Sequence, residues 1–385
     1  MAHCNTILHQ MLKLIPRHVF DKLDSEHGTG RSARSFTRWH QCVHLLFMQL
    51  TGRCSLRDGV ASLKARLKNL YHLGVKPVAR STFADANNKR PASFYEALFG
   101  RLYQQVLPLA PKHKFRFKNK LYSLDATVVS LCLSVFPWAS FRRTKAGVKL
   151  HTLLDHDGYL PAFVSISPAR QHEVKKARSL ALPKGSIIAA DLGYTDYAWY
   201  ADLTRQQVFF VTRQKSNAVY EVRESRKVNE KQGLIADQTI RLTGTKAKEC
   251  PIPLRRIVYK DPVTGRQLVF LSILFRLSAK TIAVIYKERW QIEIFFRFIK
   301  QNLKIKAFVG NSENAVMSQI YVALIAYLLL YYLKFLCCLS VSLQELLRTL
   351  QLNLFRTCKI QDLFDPPDPE SANLLNSKQL SLALA

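Results

Sequence analysis

Residues 120–136 read KLYSLDATVVSLCLSVF, a run of β-branched and aromatic residues that predicts a β-strand. The strand contains one acid, Asp125, and a carboxylate inside an apolar strand is costly unless it is paired or binds a metal ion. Two further strand-like stretches follow at 148–155 and 159–167, and the turn at 156–158 between them predicts a hairpin. The chain therefore places a lone acid within the first strands of a β-sheet.

A second acid follows a pattern typical of a buried strand. Residues 172–179 predict a basic helix, and residues 186–190 (SIIAA) predict a core strand that ends at Asp191. An acid at the carboxyl end of a core strand, followed closely by Gly193, is where α/β folds place their chemistry. Strands followed by a helix and another strand predict a mixed sheet with helices packed on it, so the predicted fold class is α/β.

The third acid lies in residues 286–300, YKERWQIEIFFRFIK. At about 100° of rotation per residue, four of its polar side chains share one helical face: Tyr286, Arg289, Glu293 and Lys300. A separate apolar stripe accounts for the burial of this helix. The polar face can hold a metal ion through Glu293 while its cations and hydroxyl bind phosphate, as an enzyme that cuts a nucleic-acid backbone requires.

The remaining sequence predicts one region rich in β-strands and another of short helices. Residues 206–275 are mostly extended and polar and predict a β-rich insertion between the second and third acids. Its strand candidates are 208–213, 238–242, 254–259 and 267–272. The first hundred residues predict short basic helices, which fit either a helix-turn-helix DNA reader within 55–83 or a generic helical bundle. These helices are expected at 5–23, 37–50, 55–71 and 81–88.

These patterns divide the chain into four parts. They are a helical basic DNA-binding domain (1–112), a catalytic core (113–313) with its insertion at 206–275, a C-terminal helical region (314–365) and a flexible tail (366–385). The uninterrupted apolar run at 320–333 is shorter than the roughly 20 residues that span a bilayer. It therefore predicts a buried helix and no membrane association.

The composition points to a polyanionic partner in a reducing compartment. The chain has 57 Lys and Arg against 27 Asp and Glu, a formal net charge of +30, which favours nucleic acid or an anionic membrane surface. Its eight cysteines have no paired metal-site spacing, and no secretory signal is evident, so a cytoplasmic location is expected. His40 and His44 have the i, i+4 spacing of metal ligands but lack the glutamate of a zincin helix, which favours packing.

The three acids and the helix 286–300 carry a resemblance to a known family. The chain resembles the insertion-sequence-four family of bacterial DDE transposases, whose signature is Tyr-x2-Arg-x3-Glu-x6-Lys. Tyr286, Arg289, Glu293 and Lys300 match this signature at every spacing. The family often has serine or threonine at the position of Ala126, and commonly has His-Asp where this chain has His172-Glu173.

The resemblance implies a fold, a reaction and a set of residue roles. The core would be ribonuclease H-like, and Asp125, Asp191 and Glu293 would be the catalytic acids holding two Mg²⁺ ions, with Mn²⁺ as a substitute. DNA contacts would come from five side chains: Tyr286, Arg289, Lys300, Lys149 and His151. The enzyme would bind the terminal inverted repeats of its element as a homodimer in a synaptic complex, form hairpinned ends and join the 3′ ends to target DNA.

Other interpretations of the same residues stay open at this point. Asp125 could be an edge-strand residue, Asp191 a helix N-cap, and Glu293 an i, i+4 partner of Arg289 or Arg297. The chain could be a catalytically inactive DNA-binding relic of a transposase, or a membrane-surface protein attracted by its charge. Trp199 or Trp290 could stack on a flipped base, although core packing is favoured.

Overall fold

The computed structural model describes residues 5–28, 35–169, 173–245, 247–305 and 307–364, without the side chains of 173–175. His172, the side chain of Glu173 and the predicted tail 366–385 lie outside the described residues. The chain forms two compact units. One contains the described residues up to Leu109 and from Gln301 onward, and the other contains Ala110–Lys300.

The helices and strands are as follows. In chain order the helices are α1 (Ile7–Leu12), α2 (Arg17–Glu26), α3 (Arg38–Thr51), α4 (Leu56–Lys64), α5 (Leu67–Leu70), α6 (Arg80–Lys89), α7 (Ser93–Val106), α8 (Glu173–Arg178), α9 (Tyr197–Arg205), α10 (Ala279–Glu288), α11 (Trp290–Gln301), α12 (Glu313–Leu336) and α13 (Leu343–Asn353). The strands are β1 (Leu121–Leu131), β2 (Ser140–Arg142), β3 (Lys145–Asp155), β4 (Leu160–Pro168), β5 (Ile187–Ala190), β6 (Phe209–Arg213), β7 (Tyr220–Arg226), β8 (Leu234–Leu242), β9 (Leu254–Lys260) and β10 (Gln267–Ser272).

The strands form one mixed sheet, which confirms the predicted α/β class. Its order is β2-β3-β1-β5-β6-β10-β9-β8-β7, and β4 also pairs with β3. β5 runs parallel to both β1 and β6, and the other pairs are antiparallel. Residues 206–275, predicted as an insertion, begin with a strand paired to β5 and extend the same sheet.

Helices cover both faces of the sheet. One face packs against α10 through Ile187 and Ile282, and the opposite face packs against α9 through Ile188 and Trp199. Successive residues of a strand project to opposite faces, so each buried strand is apolar on both sides. Trp199 is a core residue of the second face, which confirms packing over base stacking for this side chain. Trp290 is 55% exposed, so the prediction of core packing is wrong for it.

The helical unit is built from both ends of the chain. α12 packs against α3, α6, α7 and α13, whereas the sequence divided these elements between domains 1–112 and 314–365. α12 is long and apolar enough to cross a membrane, but most of it is buried inside this unit. A helix that is apolar all round belongs in a protein core, as the run 320–333 predicted.

Local sequence explains where several helices begin and end. The predicted helix 5–23 is divided at Pro16, which precedes the first residue of α2. Gly52 ends α3 with a left-handed φ of 65°. His44 is buried on α3 with its ring edge-on to Phe36 and Phe83. The histidine pair of α3 therefore belongs to a packed core, as predicted.

Candidate active site

Two of the predicted acids lie side by side on neighbouring parallel strands. Asp125 belongs to β1, and Asp191 directly follows β5. Leu124 pairs with Ala190, so the next residue along each strand is an acid. Asp191 precedes a short 3₁₀ turn, but its side chain makes no capping hydrogen bond there. The helix-cap explanation of Asp191 is therefore not supported.

The three acids lie around the guanidinium group of Arg289. Its Nη1 lies 2.7 Å from Oδ2 of Asp125 and 3.7 Å from Oε1 of Glu293. Its Nη2 lies 3.8 Å from Oδ1 of Asp191. These carboxylates come from β1, from the end of β5 and from α11, which are far apart in sequence.

The predicted helix 286–300 is two consecutive helices that preserve the helical phase. α10 ends at Glu288 and α11 begins at Trp290. Arg289, the residue between them, has helical backbone angles of φ −52° and ψ −28°. The four signature side chains consequently stay on one face, which points to Asp125 and Asp191, although the helix is not continuous.

Tyr286 and Lys300 complete the cluster. The Tyr286 hydroxyl donates to Oδ1 of Asp191 at 3.1 Å. Nζ of Lys300 donates to Oγ1 of Thr127 at 2.5 Å. Thr127 lies two residues beyond Asp125 and so on the same face of β1. Sequence reasoning missed Thr127, although its two-residue spacing from Asp125 was a signal that could have identified it.

Burial dominates the electrostatics of the cluster. It raises the pKa of Asp125 to about 7, and the nearby Glu293 and Asp191 act in the same direction against the attraction of Arg289. Burial also raises the pKa of Tyr286 to about 12, so its hydroxyl remains a hydrogen-bond donor at neutral pH. The site therefore combines a carboxyl group that titrates near neutrality with an arginine and a protonated tyrosine.

The donor set suits a divalent cation, although the acids are not assembled as a closed metal site. In the described part of the chain, no group of three or more His, Cys, Asp or Glu residues is close enough to hold a metal ion, because these acids surround the guanidinium of Arg289. Carboxylate oxygens are the ligands that Mg²⁺ and Mn²⁺ prefer. Asp191 and Glu293 are 41% and 37% exposed, so their oxygens are accessible to an ion.

Lys149 and His151 do not lie near the acids, and the prediction that they would is wrong. His151 pairs with Ala126, and directly opposed residues project to the same face. His151, and with it Lys149 two residues before, therefore lies on the face opposite to Asp125. His151 is buried there against Ser167, with 3.0 Å between Nε2 and Oγ. The sequence predicted the strand but could not show its register.

A family comparison covers all of these residues. The family described as "Transposase DDE domain" matches residues 116–329. The chain belongs to the DDE transposase family. It is an enzyme of DNA transposition, and DDE transposase domains use divalent metal ions. A domain family of unknown function, DUF4372, matches residues 3–76.

Two relatives with transposase names agree with this assignment. A putative transposase, y4zB, of Sinorhizobium fredii is 36% identical over 251 residues, which are 64% of this chain and 69% of the relative. A probable transposase for insertion sequence element IS5377 of Geobacillus stearothermophilus is 32% identical over 331 residues, 85% of each chain. A piggyBac transposase synaptic complex with hairpin DNA matches with a TM-score of 0.46 and 11% identity, over 93% of this chain and 82% of that one.

Proposed function

We propose that this DDE transposase mobilises a bacterial insertion sequence of the insertion-sequence-four type by metal-dependent cleavage and joining of DNA. The observation that carries the proposal is the convergence of Asp125, Asp191 and Glu293 on Arg289. No requirement of folding brings three acids from separate elements to one partly open position. A metal-binding catalytic centre does require it.

The side chains divide between metal binding and phosphate binding. The three acids would hold Mg²⁺, two ions with Mn²⁺ as a substitute, and bound ions would activate the attacking hydroxyl and stabilise the leaving oxygen. Arg289 and Lys300 supply positive charge at the position of the scissile phosphate, and Arg289 can hold two phosphate oxygens at once. The Tyr286 hydroxyl orients Asp191 or donates to phosphate.

The arrangement of the sheet supports a ribonuclease H-like core. An antiparallel set, β4-β3-β1, is followed by the parallel strands β5 and β6. The catalytic unit on this proposal is Ala110–Lys300, and DNA binding also involves the basic helical unit. The other implied steps rest on the family resemblance: recognition of terminal inverted repeats, a homodimeric synaptic complex, hairpinned ends and a bacterial cytoplasmic location.

Cleavage of DNA carrying the element's own ends tests the proposal. We expect the chain to nick the element boundary with Mg²⁺ or Mn²⁺ and to be inactive with EDTA. Asp191→Asn should reduce cleavage by at least about 100-fold, because several kcal/mol of transition-state charge stabilisation are lost. Asp202→Asn is the matched control, since Asp202 lies on α9 and its carboxylate pairs with Arg205 three residues away.

A second function is distinguished by the same experiment. If the wild-type chain and Asp191→Asn bind the ends equally and neither cuts them, the chain is a DNA-binding relic or regulator. Denaturing gels of the cleaved ends test the hairpin step, since a hairpin joins both strands of the end into one longer strand. Open ends alone would refute that step and leave the cleavage mechanism in place.

A further inference from the structure

Arg213 lies next to the acids although no signature identifies it. β5 and β6 are parallel, and Ala189 pairs with Val211. Two residues further along each strand come Asp191 and Arg213, so both side chains leave the same edge of the sheet. In α/β folds, the carboxyl ends of parallel strands are where ligands bind.

Arg213 also projects to the same face as the active-site helices. It pairs with Phe270 of β10, and directly opposed residues share a face. The Phe270 ring lies 4.9 Å from the ring of Tyr286, which donates to Asp191. Burial raises the pKa of Tyr286, while the positive charges of Arg289 and Arg213 lower it. The charge of Arg213 therefore acts within the candidate active site.

In the described part of the chain, the other half-buried or buried arginines nearby have side-chain partners, whereas Arg213 has none. Arg255 pairs with Asp237, and Arg256 donates to the side-chain oxygens of two glutamines. Within the described residues, no ion pair or side-chain hydrogen bond holds Arg213. A partly buried charge without a counter-charge is unfavourable, so the position suits an anionic ligand. The planar guanidinium is well matched to phosphate.

We propose that Arg213 binds a backbone phosphate of the DNA strand held at the acids, forming an anion subsite at the carboxyl end of β6. The subsite rests on the proposed function, because the ligand is the DNA that the enzyme cleaves. It lies one strand beyond Asp191, on the side away from Asp125. Arg213 thus contacts a phosphate flanking the scissile one, and Arg289 and Lys300 contact the scissile phosphate.

A scan with neutral phosphates tests the contact directly. Duplexes carrying the element end receive a single methylphosphonate at successive positions around the cleavage site, and binding is measured by fluorescence anisotropy without divalent metal. We expect Arg213→Ala to weaken binding about 10-fold. At one position, the methylphosphonate should weaken the wild type by a similar factor and leave Arg213→Ala unaffected. Arg266→Ala removes an exposed arginine in the turn before β10. Its effect on the free energy of binding should add to that of the methylphosphonate at every position.

The controls separate a contact from a loss of folding. Thermal unfolding of each variant is measured, and Arg213→Gln, which keeps an unbranched stem and lacks the charge, replaces Arg213→Ala if the latter is destabilised. Arg213→Lys should recover part of the affinity. The inference is overturned if, at every position, the effect of the methylphosphonate on the free energy of binding simply adds to the effect of losing Arg213. It is also overturned if Arg213→Ala and Arg266→Ala behave alike.

Failure of this inference and failure of the proposed function give different results. The scan measures binding alone, so a wild-type chain that binds ends without cutting them refutes catalysis and still reports on Arg213. A chain that cuts the ends but has no phosphate coupled to Arg213 refutes the subsite alone. A chain with no affinity for DNA refutes both.

Discussion

At the scale of single residues, Asp125 is the side chain in which folding and the proposed catalytic role are in conflict. Its side chain is 14% exposed in β1, and burial raises its pKa from 3.8 to about 7. The folded chain therefore binds a proton more tightly than the unfolded chain. Between these two values the folded state holds more protons, so the free energy of unfolding falls as pH rises. A bound cation would reverse this penalty by favouring the carboxylate.

We predict that Asp125→Asn stabilises the metal-free protein more at pH 8 than at pH 5. The neutral amide removes the cost of the buried carboxylate, and the gain relative to wild type should increase through neutrality towards about 2–4 kcal/mol. Chemical denaturation at a series of pH values in EDTA measures the difference. Adding Mg²⁺ at pH 8 should stabilise the wild type and have little effect on the variant. A difference that is constant with pH would contradict the raised pKa.

The site was predictable where sequence spacing alone determines position. The spacing of Tyr286, Arg289, Glu293 and Lys300 fixes their common face, because helical rotation is a local property. The error at His151 has the opposite cause. A strand alternates its faces every residue, so assigning a face requires the pairing with β1, and pairing depends on residues distant in sequence.

At the scale of elements, the buried residue Arg255 ties the outer strands to the helix that carries Tyr286. On β9, it donates to both carboxylate oxygens of Asp237 on β8, at 2.8 and 2.6 Å. It also donates to the carbonyls of Leu274 and Leu277, at 2.6 Å each. These carbonyls lie in the connection between β10 and α10. Strands that extend the sheet thus fix where the helix of the candidate active site begins.

We predict that breaking this link impairs cleavage beyond its effect on stability. Asp237→Asn should lower the free energy of unfolding by about 3–5 kcal/mol, because it leaves Arg255 buried without its counter-charge. The double variant Asp237→Leu with Arg255→Met should recover much of that stability, since apolar residues can replace a buried ion pair. Its cleavage of end DNA should nevertheless stay low, because the two carbonyls still lack their donor and α10 is no longer anchored.

A matched variant of an exposed pair provides the control for the link. Glu224→Gln removes a partner of Arg226 on β7, where Glu224 is 60% exposed, and exposed ion pairs contribute at most about 1 kcal/mol. Both its stability and its cleavage should stay close to wild type. If the double variant regained cleavage together with stability, Arg255 would serve folding alone and would not position α10.

The local sequence pattern predicted whether a segment is a helix or a strand more reliably than it predicted the first and last residues of that segment. The strand predicted at 267–272 matches β10, because a clear turn at 261–265 precedes its apolar run. α7 was missed, although its 14 residues pack a buried face that includes Phe94 and Leu98. Its apolar residues recur with helical spacing, which is a signal that could have identified it.

At the scale of the whole molecule, the helical unit could not be derived from local sequence. α12 packs on α3, α6 and α7, with the entire sheet unit between them in the chain. No motif in either terminal region specifies that they pair. The apolar character of α12 predicted burial but left its partners unidentified, since burial is a property of one segment and packing is a property of two.

The net charge of +30 leads to a prediction about the whole chain. We expect binding to duplex DNA to weaken steeply with salt, because each phosphate neutralised by Lys or Arg releases condensed counterions. With 6–10 phosphate contacts, affinity should fall by about 10³–10⁵ between about 50 and 200 mM salt. Anisotropy titrations with an element-end duplex and with a random duplex of the same length measure both slopes.

The two duplexes distinguish the charge from recognition of sequence. Charge acts alike on any duplex, so the slopes should be nearly equal, and a preference for the element end should persist at every salt concentration because base contacts release few counterions. The membrane alternative predicts instead that nuclease-treated protein pellets with anionic vesicles. No measurable binding to either duplex, together with such pelleting, would assign the positive charge to a lipid surface, and the chain would then lack the DNA affinity that transposition requires.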